Sequence, residues 1–178
     1  MNLFHDLSIG EKTPEVVNIV IENTKGSLNK VEYDKKDEVF KIDRVIHSDK
    51  YHWPFDYGFL PRTWNSDEDP LDAVVLVTYP TFPGCVVEAR PVALLVMEDE
   101  KGMDDKIITV PVNDPRFSKI KDLDDLDDKT IREINEFFEN YKKSEPGKFV
   151  KIKEWKNAEE AKNIIKLAMK HYEKKFGR

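Results

Sequence analysis

The run Asp67-Glu68-Asp69-Pro70-Leu71-Asp72 places three aspartates at i, i+2 and i+5, directly before an apolar stretch that begins at Ala73. Carboxylates crowded this closely repel one another unless a cation sits between them. Oxygen ligands suit a hard divalent ion such as Mg2+ or Ca2+. Pro70 fixes the backbone within the run and donates no hydrogen bond. Taken alone, the segment reads equally well as a solvated acidic turn. Two sharper alternatives fail on the residues. A calcium-binding EF-hand loop starting at Asp67 would want an oxygen ligand where Leu71 stands, glycine where Asp72 stands and glutamate where Thr78 stands. An aspartyl-phosphate nucleophile follows a hydrophobic strand, whereas Thr63-Trp64-Asn65-Ser66 precedes this run and the strand comes after it.

A second acidic group, Glu98-Asp99-Glu100-Lys101-Gly102-Met103-Asp104-Asp105-Lys106, lies between two expected strands with Gly102 at the turn. By itself it reads as a charged hairpin tip. Lys106 weakens that reading, because strand alternation puts it with Ile108 and Val110, where its charge wants a partner. Alternation puts Arg44 with Phe40, Ile42 and Ile46. A guanidinium on an apolar face is costly unless it meets an anion, and Arg suits bidentate contact with phosphate. A structural ion pair stays equally open for Arg44. Lys30 and Glu32 share the polar face of their strand, which solvent exposure also explains. Tyr141 reads as a packing residue of a helix, and Lys142 as a surface lysine. Histidines 5, 47, 52 and 171 lack metal-ligand spacing, and no serine or cysteine has a nucleophile's surroundings. Carboxylates that hold metal ions, with Lys and Arg that hold phosphate, form the usual equipment for phosphoryl transfer to water.

These side chains need a scaffold. Strand patterns span 16–21, 28–34, 39–46, 73–79, 86–97, 107–112 and 149–155, with Pro91 inside the long fifth run predicting an edge or a bulge. Ile131, Ile134, Phe138 and Tyr141 fall on one face of a helix expected over 128–143, stopped by Pro146-Gly147. A second helix is expected over 157–176, with Asn157 and Glu160 in the form of a capping box. Strands first and helices last predict an α+β fold, and many curved strands favour a small closed barrel. At 178 residues, a single domain over 1–178 is expected. Ten Phe, six Tyr and three Trp suffice for a core and argue against disorder.

The net charge of −6 gives no general attraction for nucleic acid or anionic membranes, so a polyanion must be gripped by a local basic site or through metal ions. The one cysteine, Cys85, reads as a small core residue and leaves no internal disulfide. The first residues lack a signal peptide's pattern, and no run of 18 apolar residues exists. A cytoplasmic protein fits.

Nearly the whole chain resembles the family I soluble inorganic pyrophosphatases of the short prokaryotic type. The resemblance runs through Ile21-Glu22, Lys30-Val31-Glu32-Tyr33, Asp43-Arg44, Asp56-Tyr57-Gly58, the triple-aspartate run, Glu88-Ala89-Arg90-Pro91-Val92 and the 99–106 turn. It continues through Phe137-Phe138-Glu139-Asn140-Tyr141-Lys142 and Gly147-Lys148 to Glu154-Trp155. It implies an OB-like barrel of about five strands with extra strands and two main flanking helices, several Mg2+ ions per site, and conversion of pyrophosphate to two phosphates. It also implies a homohexamer. By the same resemblance, Asp67, Asp72, Asp99 and Asp104 look like metal ligands, with Glu32 reaching a further metal. Asp69 looks like the general base on a metal-activated water. Lys30, Arg44, Tyr57, Lys106, Tyr141 and Lys142 look like the phosphate clamp, and Glu22, Glu100 and Lys148 like supporting residues. Two positions depart from the pattern. Glu68 replaces a small residue such as glycine, so a more crowded or more acidic loop is expected. Trp53 replaces a tyrosine, so one hydroxyl near the site is expected to be missing. Two other readings are carried alongside: a non-enzymatic OB-type binder of single-stranded nucleic acid, and a divalent-cation binding module without turnover.

Overall fold

The computed structural model describes residues 1–46 and 51–177; His47 falls outside them. The strands are β1 (Val17–Asn23), β2 (Asn29–Asp34), β3 (Val39–Val45), β4 (Asp56–Phe59), β5 (Asp72–Val75), β6 (Val86–Asp99), β7 (Gly102–Met103), β8 (Lys106–Pro111) and β9 (Val150–Asn157). The helices are α1 (Asp128–Asn140) and α2 (Ala158–Phe176). Five strands close a ring in the order β1-β4-β5-β8-β6, with β6 pairing back to β1. This is the expected α+β, OB-like barrel. The β5–β8 pair is parallel and the other ring pairs are antiparallel. β6 is long enough to serve four neighbours: Val86–Ala89 meet β1, Ala89–Leu95 meet β8, Ala93–Asp99 meet β9, and Glu98 and Asp99 meet β7. Its register with β8 slips between Pro91 and Ala93, the bulge that a proline without an N–H predicts. Pro91 is therefore in a central strand and not at an edge.

Alternation along the barrel strands feeds two apolar clusters, one on each face. Ala73, Val75, Leu94 and Ile107 pack with Ala161, Ile165 and Ala168 of α2. Val74, Leu95, Met97 and Ile108 pack with Ile134, Phe137 and Phe138 of α1. Each buried Val, Leu, Ile, Met or Phe among these contributes on the order of 1.5–3 kcal/mol, and each alanine less. Cys85 packs against the α2-side cluster as a free thiol. The helix ends follow their sequence signals. Asp127 caps α1 by accepting from Thr130 N at 2.7 Å. Asn157 caps α2 by accepting from Glu160 N at 3.1 Å, and Gly177 closes it at φ 67°. Among the described residues, no helix is long and apolar enough to cross a membrane.

Several elements depart from the sequence reading. β4 was not anticipated, nor was the two-residue β7. β5 stops at Val75, short of the 73–79 run, because the chain turns outward at Thr78 and Tyr79 toward Pro80. α1 stops at Asn140, and a chain of turns carries residues 141–147 to Gly147 at φ 76°. The β2–β3 hairpin forms its own two-stranded sheet, and its register slips so that Lys30 opposes Arg44 while Val31 opposes Ile42. Asp43 is the extra residue, and this bulge overturns the simple alternation. Arg44 shares a face with Lys30, and Ile42 points the other way and stays 63% exposed.

One close approach in the barrel requires glycine. Gly58 lies opposite Ile21 where β4 crosses β1, and a Cβ there would stand 1.8 Å from the Val20 carbonyl oxygen.

Candidate active site

A cavity of about 300 Å³ opens beside the barrel, and every candidate site residue named from the sequence lines it. Three barrel strands supply its floor. The parallel register of β5 with β8 sets Asp72 beside Lys106, whose Nζ donates to Asp72 Oδ2 at 2.6 Å and also to Asp104. Tyr57, on β4, donates its hydroxyl to the same Asp72 oxygen at 2.5 Å. Burial works against the charge of Lys106, but Asp104 and Asp72 outweigh it and raise its pKa above the ordinary lysine value. Burial, then Asp72 and Asp104, pushes the Tyr57 hydroxyl upward as well. The lysine is thus a fixed cation, and the tyrosine a fixed donor.

The β2–β3 hairpin supplies one wall. It hangs from the end of β1 by two side chains. Glu22 accepts from Tyr33 N at 2.7 Å, while Asn23 accepts from Val31 N at 2.6 Å and donates to Val31 O at 3.0 Å. Glu22 is buried, and that burial, reinforced by Asp72, Glu32 and Asp69, raises its pKa to about 8. Lys30 donates to Glu32 and, at 3.3 Å, to Asp43. Arg44 Nη1 donates to Glu145 Oε2 at 2.7 Å, and Arg44 Nε is buried with no hydrogen-bond partner.

The turns after α1 supply a second wall. Tyr141 is the C-cap of α1 and stacks on Phe137 at 5.1 Å between ring centroids. Lys142 Nζ donates to Asp99 Oδ2 at 2.8 Å and to Glu100 Oε2 at 3.2 Å. Burial alone would raise the Asp99 pKa, but the Lys142 hydrogen bond holds it below the usual carboxylate range. Lys148 pairs with Glu145 at 2.9 Å.

The 60–71 loop carries the remaining aspartates. Its ends are joined by Leu60 N to Leu71 O at 2.9 Å, and Thr63 Oγ1 accepts from Leu71 N while donating to Leu60 O. Trp64 N donates to Ala168 O, which ties the loop to α2. Asp69 is exposed and paired with Lys35, a cavity residue that sequence reasoning missed because a turn lysine carries no pattern. Asn23, Asp43 and Lys101 also line the cavity and were not singled out from the sequence. Glu68 does not crowd the cavity. Its backbone sits at φ 63°, its side chain faces outward, and its carboxylate lies 3.6 Å from Lys175. Trp53 backs the cavity instead of lining it. It is buried, donates Nε1–H to Asn29 O at 3.0 Å, and its ring centroid lies 4.9 Å from that of Tyr57.

Among the described residues, no three His, Cys, Asp or Glu side chains stand ready-made around an ion position. The carboxylates turn instead to the lysines among them. Their chemistry nevertheless fits a hard dication: Glu32, Asp67, Asp69, Asp72, Asp99 and Asp104 offer oxygen alone. Asp67 adds an electrostatic reason. Burial first, and the negative charges of Asp72 and Asp104 next, raise its pKa to about 6, a strain that a cation would relieve.

The sequence profile described as Inorganic pyrophosphatase matches residues 19–173. An inorganic pyrophosphatase of Haloferax volcanii is 49% identical over 176 residues, covering 99% of this chain and 99% of that one. One of Sulfolobus acidocaldarius is 49% identical over 166 residues, covering 92% and 95%. The crystal structure of inorganic pyrophosphatase from Thermus thermophilus superposes with a TM-score of 0.93 at 44% identity, covering 97% of this chain and 99% of that one. With the barrel, the cavity and these likenesses in agreement, the chain belongs to the inorganic pyrophosphatase family.

Proposed function

We propose that this chain hydrolyses inorganic pyrophosphate to two phosphates with Mg2+ as its metal. The observation that carries the reading is the meeting of acidic and basic side chains from separate elements in one cavity of a chain of this family. Asp67, Asp72, Asp99 and Asp104, with Glu32 on the hairpin, would hold Mg2+ ions. Bound there, the ions neutralise substrate charge and bring the pKa of a water toward about 7. Asp69 accepts the proton of the attacking water. That water's oxygen bonds to one phosphorus as the bridging P–O bond breaks. Lys30, Arg44, Tyr57, Lys106, Tyr141 and Lys142 hold the phosphate oxygens, and charge on the leaving phosphate is met by cations that burial leaves poorly screened. Glu22, Glu100 and Lys148 support these groups.

A base-stacking role for the cavity is disfavoured by its lining, which is mostly charged. The assembly we propose is a homohexamer, for which exposed apolar side chains such as Ile42, Tyr79 and Phe82 offer contact surface. The compartment we propose is the cytoplasm, in keeping with a lone unpaired cysteine.

Phosphate release from pyrophosphate, measured with Mg2+ and with a chelator, tests the reading. Turnover is expected with the metal only. Turnover that survives chelation, or none in either case, refutes it. In the same assay Asp69→Asn is expected to lower kcat by about 10²–10⁴. An unchanged kcat removes Asp69 from the role.

A further inference from the structure

Glu145 is not a cavity residue, yet it grips two that are. Its Oε2 accepts from Arg44 Nη1 at 2.7 Å and from Lys148 Nζ at 2.9 Å. Backbone bonds hold it in place: Glu145 N donates to Lys142 O at 3.0 Å, and Lys148 N donates to Glu145 O at 3.2 Å. It lies behind Arg44 in an adjoining depression formed with Val45, Tyr141 and Ser144. The guanidinium is therefore divided: one edge is on Glu145, while its buried Nε has no hydrogen-bond partner. Asp43 Oδ2 stands 3.9 Å from that nitrogen, beyond hydrogen-bond reach.

We propose that Glu145 is a built-in competitor for the phosphate clamp. Its carboxylate occupies the Arg44–Lys148 pair when no anion is bound, and its charge weakens the hold on product phosphate so that product leaves. The inference rests on the functional reading given above and names a residue that tunes it. A phosphate oxygen that satisfies Arg44 Nε brings its charge close to the Glu145 carboxylate. Side-chain exposures of 19% for Arg44 and 26% for Glu145 leave that repulsion poorly screened. Pyrophosphate carries more charge than one phosphate and spreads over more cations, so it overcomes the repulsion more fully. The net effect is a clamp that tolerates substrate and releases product. A merely structural tether between Arg44 and Lys148 would act with the opposite sign, because losing it would loosen both cations and weaken anion binding.

The test is Glu145→Gln, which keeps the shape and one accepting oxygen but removes the charge. Orthophosphate is titrated calorimetrically into the full chain saturated with Mg2+, and product inhibition by phosphate is measured in turnover. The variant is expected to bind phosphate roughly 5–50-fold more tightly than the wild type. Its KM for pyrophosphate is expected to fall by a smaller factor. Glu145→Asp, which keeps the charge, is expected to stay within about threefold of wild-type phosphate affinity. Phosphate binding that is unchanged or weaker in the Gln variant overturns the proposal, as does equal tightening in the Asp variant. A melting curve for each variant separates these outcomes from misfolding. Wild-type protein that binds neither phosphate nor pyrophosphate would sink the functional reading itself, whereas normal wild-type binding with an unmoved Gln variant sinks only this inference.

Discussion

Glu22 shows how one buried carboxylate makes stability depend on pH. Its ordinary pKa of 4.5 applies to the unfolded chain, and burial in the fold raises it to about 8. Between those values the folded protein holds the proton more tightly than the unfolded one. Stability is therefore greatest below the lower value and falls as pH rises through the window. For the metal-free protein the loss is on the order of 3–5 kcal/mol. Glu22→Gln keeps the acceptor for Tyr33 N and removes the charge, so its denaturant stability is expected to decline much less between about pH 5 and about pH 8.5. Parallel pH profiles for the two proteins would show that Glu22 does not cause the decline. Glu68 stores a different strain. A non-glycine residue in the left-handed region costs roughly 1 kcal/mol, and its contact with Lys175 is too exposed to offset that. Glu68→Gly is expected to raise Tm by about 1–4 °C; a lower Tm would mean that the Lys175 contact outweighs the backbone strain.

At the scale of elements, the barrel needs β4 to lie tightly against β1, and Gly58 sets that distance. Gly58→Ala must push a methyl group into the Val20 carbonyl, so a loss of more than about 3 kcal/mol is expected in chemical denaturation. A loss below about 1 kcal/mol would show that the strands can part there cheaply. This same strand escaped the sequence reading for a physical reason. Asp-Tyr-Gly-Phe is four residues long, contains glycine, and is buried on both faces, so it offers no alternation to detect. The longer elements announced themselves through period and caps. The 73–79 run was read too long because Leu76 and Val77 are apolar although the strand has ended. The site was more legible than its geometry. Residue types marked two acidic clusters and the isolated Lys106; the family resemblance joined Asp67, Asp72, Asp99, Asp104 and Lys106 into one group, and all of them line one cavity. What no local pattern could give was the bulge at Asp43, which turns Arg44 to the Lys30 face, or the turn lysine Lys35 beside Asp69. Both depend on which strand lies opposite which residue, and that is fixed only when the hairpin docks.

At the scale of the whole molecule, an acidic protein of net charge −6 gathers more carboxylates than cations in one cavity, and a metal ion that joins them there is expected to hold the fold together. Mg2+ at about one hundred times its dissociation constant is expected to add about 2.7 kcal/mol per site, a rise in Tm of roughly 5–10 °C that a chelator reverses. A Tm indifferent to both would mean that the native state has no special affinity for the ion. The aromatic backing of the cavity has a practical consequence for following such events. Trp53 is 1% exposed, with ring centroids 4.9 Å from Tyr57 and 6.1 Å from Tyr141, two groups that would touch an arriving anion. Trp64 and Trp155 are only partly buried and do not line the cavity. A chain carrying Trp64→Phe and Trp155→Phe would keep a single indole emitter whose quantum yield answers to the state of those phenols, an optical reporter of occupancy that needs no dye.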